Sequence, residues 1–167
     1  MVGRCRDNHE LHHQGHEEAC KPAVFLVIPF NNIRMNSDFN NIASIAAQSF
    51  GEAFVPRGEC AFSLVLDEGT VSFASVLANP AMALVRMRVL DLSVLPRKGG
   101  LALAALEGNF FWSGTNGGTL SVGEDGGLWL TERRPVDELA VPGGLSDCVS
   151  SFTETAFEWR ERSELHG

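Results

Sequence analysis

The chain is expected to be an α+β protein, an antiparallel sheet packed with helices in the order α-β-β-β-α-β-β-α. Three observations predict this. Three segments repeat their apolar residues at helical spacing, and between them lie runs that alternate apolar and polar residues with a period of two. The runs are joined by Gly-, Asn-, Asp- and Pro-bearing turns, too short for the crossovers that a parallel sheet needs.

The first helix opens at Ser37, whose side-chain oxygen suits it to cap a free N–H of the first turn. Phe39, Ile42, Ala43, Ala46 and Phe50 then share one face, with Asn40, Asn41, Ser44 and Gln48 elsewhere, and the helix stops near Gly51–Pro56. Strand text follows. Phe62, Leu64 and Leu66 alternate with Ala61, Ser63 and Val65, the turn Asp67–Gly69 reverses the chain, and Val71 and Phe73 continue in a second strand. After Asn79–Pro80, Val85, Met87 and Val89 face one way and Arg86 and Arg88 the other, as in a half-solvated third strand.

Leu101–Trp112 returns to a helical period. Leu101, Ala104, Ala105, Gly108, Phe111 and Trp112 line one broad face, and Leu103, Leu106 and Phe110 another. A helix that is apolar nearly all round must be covered on two sides, by its own sheet or also by a second subunit. Thr119–Val122 and Gly127–Arg133 flank the turn Gly123–Gly127 as a second hairpin. In the last helix Leu145, Val149, Phe152, Ala156 and Trp159 step by four, three, four and three, while Glu154, Glu158, Arg160 and Arg162 are expected to stay wet.

Charge and cysteine usage set the front of the chain apart. Residues 1–34 hold four of the five His and two of the four Cys, and their acidic and basic residues balance. The net charge of −8 therefore falls on residues 35–167, which form the expected domain. An acidic domain disfavours a phosphate-tracking surface, so no nucleic acid is expected as a partner. Its acidic shell would suit a basic segment in a partner protein. Cys60, in a strand run, and Cys148, in a helix run, read as buried thiols of a protein kept in a reducing cytoplasm. No segment approaches the roughly 20 apolar residues that cross a membrane; the run Ala23–Phe30 is short and reads as neither a membrane insertion nor a secretory signal. Residues 1–34 are read in two ways. One is a start assigned too early, Met35 opening the folded text. The other is a genuine disordered extension whose apolar run adds an edge strand or covers a groove.

The residues that could carry chemistry are few. Cys5, His9, His12, His13, His16 and Cys20 form the sole metal-like group, but their spacing is loose, and no metal or cofactor is expected. The domain's single His, His166, lies at the end, which removes Ser-His-Asp and Cys-His arrangements. Gly114–Gly118, "GTNGG", lacks the Lys-Ser/Thr of a phosphate loop and leads into a strand, so a tight helix-to-strand passage is the expected role. The pairs Asp67–Glu68 and Glu124–Asp125 fall in hairpin turns, where acidic residues are at home. No catalytic residue, cofactor-binding residue or metal ligand is assigned, and the chain is not expected to be an enzyme. What remains is apolar surface. Phe62, Leu64, Phe73 and the flank of the first helix are either core or patches that hold an extended peptide.

These residues carry a resemblance. Leu101–Val122, "LALAALEGNFFWSGTNGGTLSV", resembles the pattern of the Tir chaperone (CesT-like) family, the class I chaperones of bacterial type III secretion, through Leu103, Leu106, Asn109, Phe110, Gly114, Thr115, Gly117, Gly118 and Leu120. Cys60–Phe73 resembles the family's first hairpin, Trp129–Leu139 its strand with a basic-Pro-hydrophobic step, and Phe152–Ser163 its last helix. Asn116 is an insertion in the usual Gly-Thr-Gly-Gly run, and Ser113 stands where Gln is common. The resemblance implies a cytoplasmic homodimer with Leu101–Trp112 and the following strand near its two-fold axis. It implies that the N-terminal region of a secreted virulence effector wraps, extended, around each subunit and is presented to the secretion ATPase, with no ATP hydrolysed by the chaperone. A protein-interaction or regulatory module of the same fold without a secreted client is the alternative.

Overall fold

The computed structural model describes residues 37–95 and 98–166. The expectations for residues 1–34, the His/Cys group and the apolar run among them, lie outside the described residues. The elements are α1 (Ser37–Phe50), β1 (Phe54–Pro56), β2 (Ala61–Leu66), β3 (Gly69–Ser75), β4 (Met82–Asp91), α2 (Lys98–Gly108), β5 (Thr119–Val122), β6 (Gly127–Pro135), α3 (Val136–Ala140) and α4 (Gly144–His166). All six strands join one antiparallel sheet in the order β1-β2-β3-β4-β6-β5. The α+β architecture is as expected. Short elements come in addition: β1, a three-residue edge strand, α3, a helix of five residues, and single 3-10 turns at Gly51–Ala53, Leu92–Val94 and Phe110–Trp112. At Ser37 the hydroxyl donates to Asp38 Oδ1 at 3.1 Å, in the first turn of α1.

The strands bury one face as their period dictates. Phe62 and Leu64 of β2, Val71 and Phe73 of β3, Ala83, Val85, Met87 and Val89 of β4 and Leu128 and Leu130 of β6 all point to the core. Against them lie Phe39, Ile42 and Ala46 of α1, Val136 and Leu139 of α3, and Leu145, Cys148, Val149, Phe152, Ala156 and Trp159 of α4. Phe62 is the hub of an aromatic stack, 4.8 Å from Phe73, 5.5 Å from Phe54 and 5.7 Å from Phe39 between ring centroids. Offset rings at such distances add about 0.5–1.5 kcal/mol per pair beyond their buried area. Of the two readings of Phe62, Leu64 and Phe73, the core is therefore the one realised.

Arg160 departs from the expectation that it stays wet. It is half-buried, and its guanidinium donates to three backbone carbonyls: Val89 O at 2.6 Å, Glu68 O at 2.7 Å and Arg88 O at 3.3 Å. Arg160 so ties α4 to the β2–β3 turn and to β4. A planar fork of donors matches such a set of acceptors; a Lys ammonium would not.

Candidate functional site

The helix expected over Leu101–Trp112 ends four residues early, at Gly108. The cause lies in a distant side chain. A Cβ on Gly108 would sit 2.5 Å from Trp159 Cζ2, and the Gly114 backbone also closes on Gly108, with Gly114 N–H donating to Gly108 O at 3.1 Å. Trp159 of α4 is fully buried there, and its indole N–H donates to Gly114 O at 2.7 Å. The chain can follow this path only where two glycines let backbone and ring meet. A continuous helix would carry Phe110–Trp112 away from Gly114 and break the closure.

Between Gly108 and Gly114 the chain therefore turns sharply. Phe111 and Trp112 both take positive φ, 51° and 54°. Each left-handed non-glycine residue costs on the order of 1–2 kcal/mol, and two aromatic ones in succession mark a conformation that the surrounding contacts impose. The consequence is exposure. Phe110, Phe111 and Trp112 are 69%, 79% and 56% exposed, with the rings of Phe110 and Phe111 edge to face at 4.5 Å. Phe111 and Trp112, expected on the face of Leu101 and Ala105, instead point to solvent, while Leu101 and Ala105 are buried. Leu103 and Leu106 of α2 and Val122 of β5 are also exposed. Six large apolar side chains thus stand in the open on one short stretch, α2 to β5, of a protein that buries its other core residues well.

Beside this cluster runs β5, an edge strand of the sheet. Its outward backbone at Leu120 is satisfied by one side chain: Asn109 Nδ2 donates to Leu120 O at 2.9 Å, and Leu120 N–H donates to Asn109 Oδ1 at 2.8 Å. The amide thus imitates one rung of a neighbouring strand, holding the aromatic turn against the edge and blunting the edge at that rung. "GTNGG" completes the passage. Thr115 Oγ1 donates to Gly118 O at 2.5 Å, Asn116, at φ 50°, donates to Ser151 Oγ at 2.7 Å, and a Cβ on Gly118 would meet Leu130 at 2.8 Å. The tight helix-to-strand passage is realised, and Asn116, the inserted residue, links it to α4.

The acidic pairs serve their turns. Asp125 Oδ1 accepts from Gly127 N–H at 3.1 Å and Trp129 Nε1 at 3.2 Å, and these donors hold its carboxyl below the usual range. Asp67 and Glu68 are exposed in the β2–β3 turn. Cys148 is buried, and burial pushes its thiol up to about 11, away from reactivity. Among the described residues, no group of three His, Cys, Asp or Glu stands close enough to hold a metal ion, and no helix is long and apolar enough to cross a membrane.

Such geometry defines a small α+β domain with an exposed aromatic and aliphatic cluster beside a sheet edge that Asn109 blunts at one rung. The chain belongs to the Tir chaperone protein (CesT) family, whose model matches residues 40–160. In three dimensions it is similar to a chain in the structure described as that of the HopA1-SchA chaperone-effector complex, with a TM-score of 0.61 and 17% sequence identity, over 78% of this chain and 99% of that one. No curated protein matches the sequence.

Proposed function

We propose that this protein is a cytoplasmic chaperone of type III secretion. In this reading it is a homodimer that binds the N-terminal region of a secreted effector, holds it extended and competent for export, and presents it to the secretion ATPase without hydrolysing ATP itself. The binding unit is residues 35–167, and no catalytic or cofactor residue takes part. Membership of the Tir chaperone family supports the reading, and the structural neighbour is described as part of a chaperone-effector complex.

The observation that carries it is the exposed cluster Leu103, Leu106, Phe110, Phe111, Trp112 and Val122 beside β5. Covering an apolar side chain of this size contributes roughly 1.5–3 kcal/mol. A two-fold pairing of α2, the aromatic turn and β5 would cover the cluster with its own copy, because an isologous interface needs one self-complementary patch. The client would then occupy the surfaces that the pairing leaves free. Co-purification with N-terminal fragments of effectors encoded beside its gene tests this reading. Capture of such a fragment, and not of the effector's folded C-terminal part, is the expected result. Failure to retain any N-terminal fragment would remove the client.

A further inference from the structure

The acidic domain wears much of its positive charge on one surface. Read from the pairing register, the outward positions of β2, β3, β4 and β6 include Arg86, Arg88 and Arg133, and their one carboxylate is Asp91, at the end of β4 opposite Gly127. Around Arg86 and Arg133 that face carries arginines and no carboxylate, in a protein of net charge −8. Arg57, in the β1–β2 connection, joins them through its Nε, 3.4 Å from Ser63 Oγ. Among the described residues Arg57, Arg86 and Arg133 form no ion pair, whereas Arg88, at the far end, is met by Asp91 at 3.2 Å and Asp125 at 3.7 Å.

The surface is also concave and built. A cavity of about 520 Å³ lies between Arg57 and Arg86, floored by Ser63, Ser72, Ala74 and Leu84. Ser63 and Ser72 are joined through their hydroxyls at 3.0 Å, and Ser72 pairs directly with Arg86 in the register. Arg86 lies over the Trp129 ring at 5.4 Å, a cation–π contact that steadies its guanidinium. Arg57, Arg86 and Arg133 thus form a ladder across the strands, with neighbouring strands about 4.8 Å apart. Solvation alone does not explain that arrangement. Residues kept for solubility have no need of a concave, carboxylate-free floor or of an aromatic support.

We propose that this outer sheet face takes an extended, acidic segment of a partner protein, its carboxylates seated on Arg57 and Arg86 and reaching toward Arg133. Alternate residues of an extended chain project to one side about 7 Å apart, so a Glu-x-Glu-x-Glu pattern spans the ladder. Arginine forks bind carboxylates with two parallel hydrogen bonds, which selects a carboxylate-bearing chain over an apolar one. The cavity lies on β2–β4, at the other end of the sheet from β5, away from the aromatic cluster. The inference rests on the chaperone reading, the segment being part of the client. It reverses the simple expectation from net charge that the client segment would be basic.

The test is fluorescence anisotropy on the full chain with a labelled peptide of alternating Glu and Val, about twelve residues long to cover the ladder. Its counterpart has Lys at every Glu position, and a short DNA duplex serves as a third probe. The Glu peptide is expected to bind and the Lys peptide not to. Arg57→Gln with Arg86→Gln should weaken binding roughly tenfold or more, and raising salt from about 50 to about 300 mM should weaken it in the unaltered protein. Equal binding of the two peptides, or salt-insensitive binding, would overturn the inference, and these two arms decide even where the double variant fails to fold. Capture of the duplex with the same arginine dependence would overturn the assignment to a protein segment. A double variant that loses the Glu peptide but retains an effector fragment at full strength would overturn the client role of this face and leave the chaperone reading intact. A protein that binds the Glu peptide through its arginines yet captures no effector fragment would uphold the face and remove the client.

Discussion

Gly108→Ala puts the contact between α2 and α4 to a quantitative test. In a helix, alanine gains about 0.5–1 kcal/mol over glycine by losing less backbone entropy. At Gly108 the new methyl would stand 2.5 Å from Trp159 Cζ2 and 2.9 Å from Cη2, inside any real contact distance. Trp159 is fully buried and anchored through its indole N–H to Gly114 O at 2.7 Å, so it cannot slide without releasing that bond. Overpacking costs about 1–3 kcal/mol, and a buried indole N–H left without its acceptor about 1–3 kcal/mol. The two costs together exceed the propensity gain, and a net loss of about 1–5 kcal/mol follows, worth several degrees of thermal midpoint or more in a domain of this size. Gly100→Ala in the same helix is the control. Nothing lies within 4 Å of a Cβ there, so it should be neutral or stabilise by up to about 1 kcal/mol. Urea unfolding of both variants, read by circular dichroism, decides the matter. A Gly108→Ala protein as stable as the parent, or both substitutions shifting stability in the same direction, would refute the argument that Trp159 sets the end of α2.

Four further outcomes follow from the same contacts. Asn109→Ala removes both bonds to Leu120, and a loss of about 1–3 kcal/mol is expected together with faster amide exchange at Leu120; unaltered exchange there would show that the edge is held by something else. Arg160→Lys should lose nearly as much stability as Arg160→Met, about 1–3 kcal/mol, because an ammonium cannot serve three carbonyls in one plane; full rescue by Lys, read in thermal unfolding, would contradict the clamp. The Cys148 thiol, raised to about 11, is protonated at pH 8, so its alkylation in the native protein should be slow and should accelerate as pH approaches 11; rapid modification at pH 7 would place it outside the core. Phe111→Asp should convert the proposed dimer to monomer without loss of fold, since a charge would be stranded in an apolar contact while the free monomer leaves position 111 in water; an unchanged mass in sedimentation would take the aromatic turn out of the interface.

Much of the fold was readable from periodicity. The alternation of Val85, Arg86, Met87, Arg88 and Val89 matches the burial of β4 residue by residue, and the steps from Leu145 to Trp159 match the buried stripe of α4. Elements too short to repeat their period were not readable. β1, with three residues, shows too little of a strand's alternation, and α3 barely completes one turn. The end of α2 is hidden from the sequence for another reason. Gly108 looks like any tolerated helix glycine until Trp159, far along the chain, is seen to fill its place. The site shares that difficulty. The Leu101–Trp112 segment was visibly too apolar, and Asn109 stood in a recognisable pattern, but the left-handed turn that exposes Phe111 and Trp112 follows from the long-range closure on Gly114. The arginine face was hidden by net charge, which sums over surfaces that the sheet keeps apart.

In the proposed function two copies of this chain hold one extended effector segment. Light scattering on the co-purified complex measures it most directly. A mass of two chains plus a single N-terminal effector fragment is expected, and a dimer in the absence of the fragment. A monomer at micromolar concentration that retains no such fragment would contradict it.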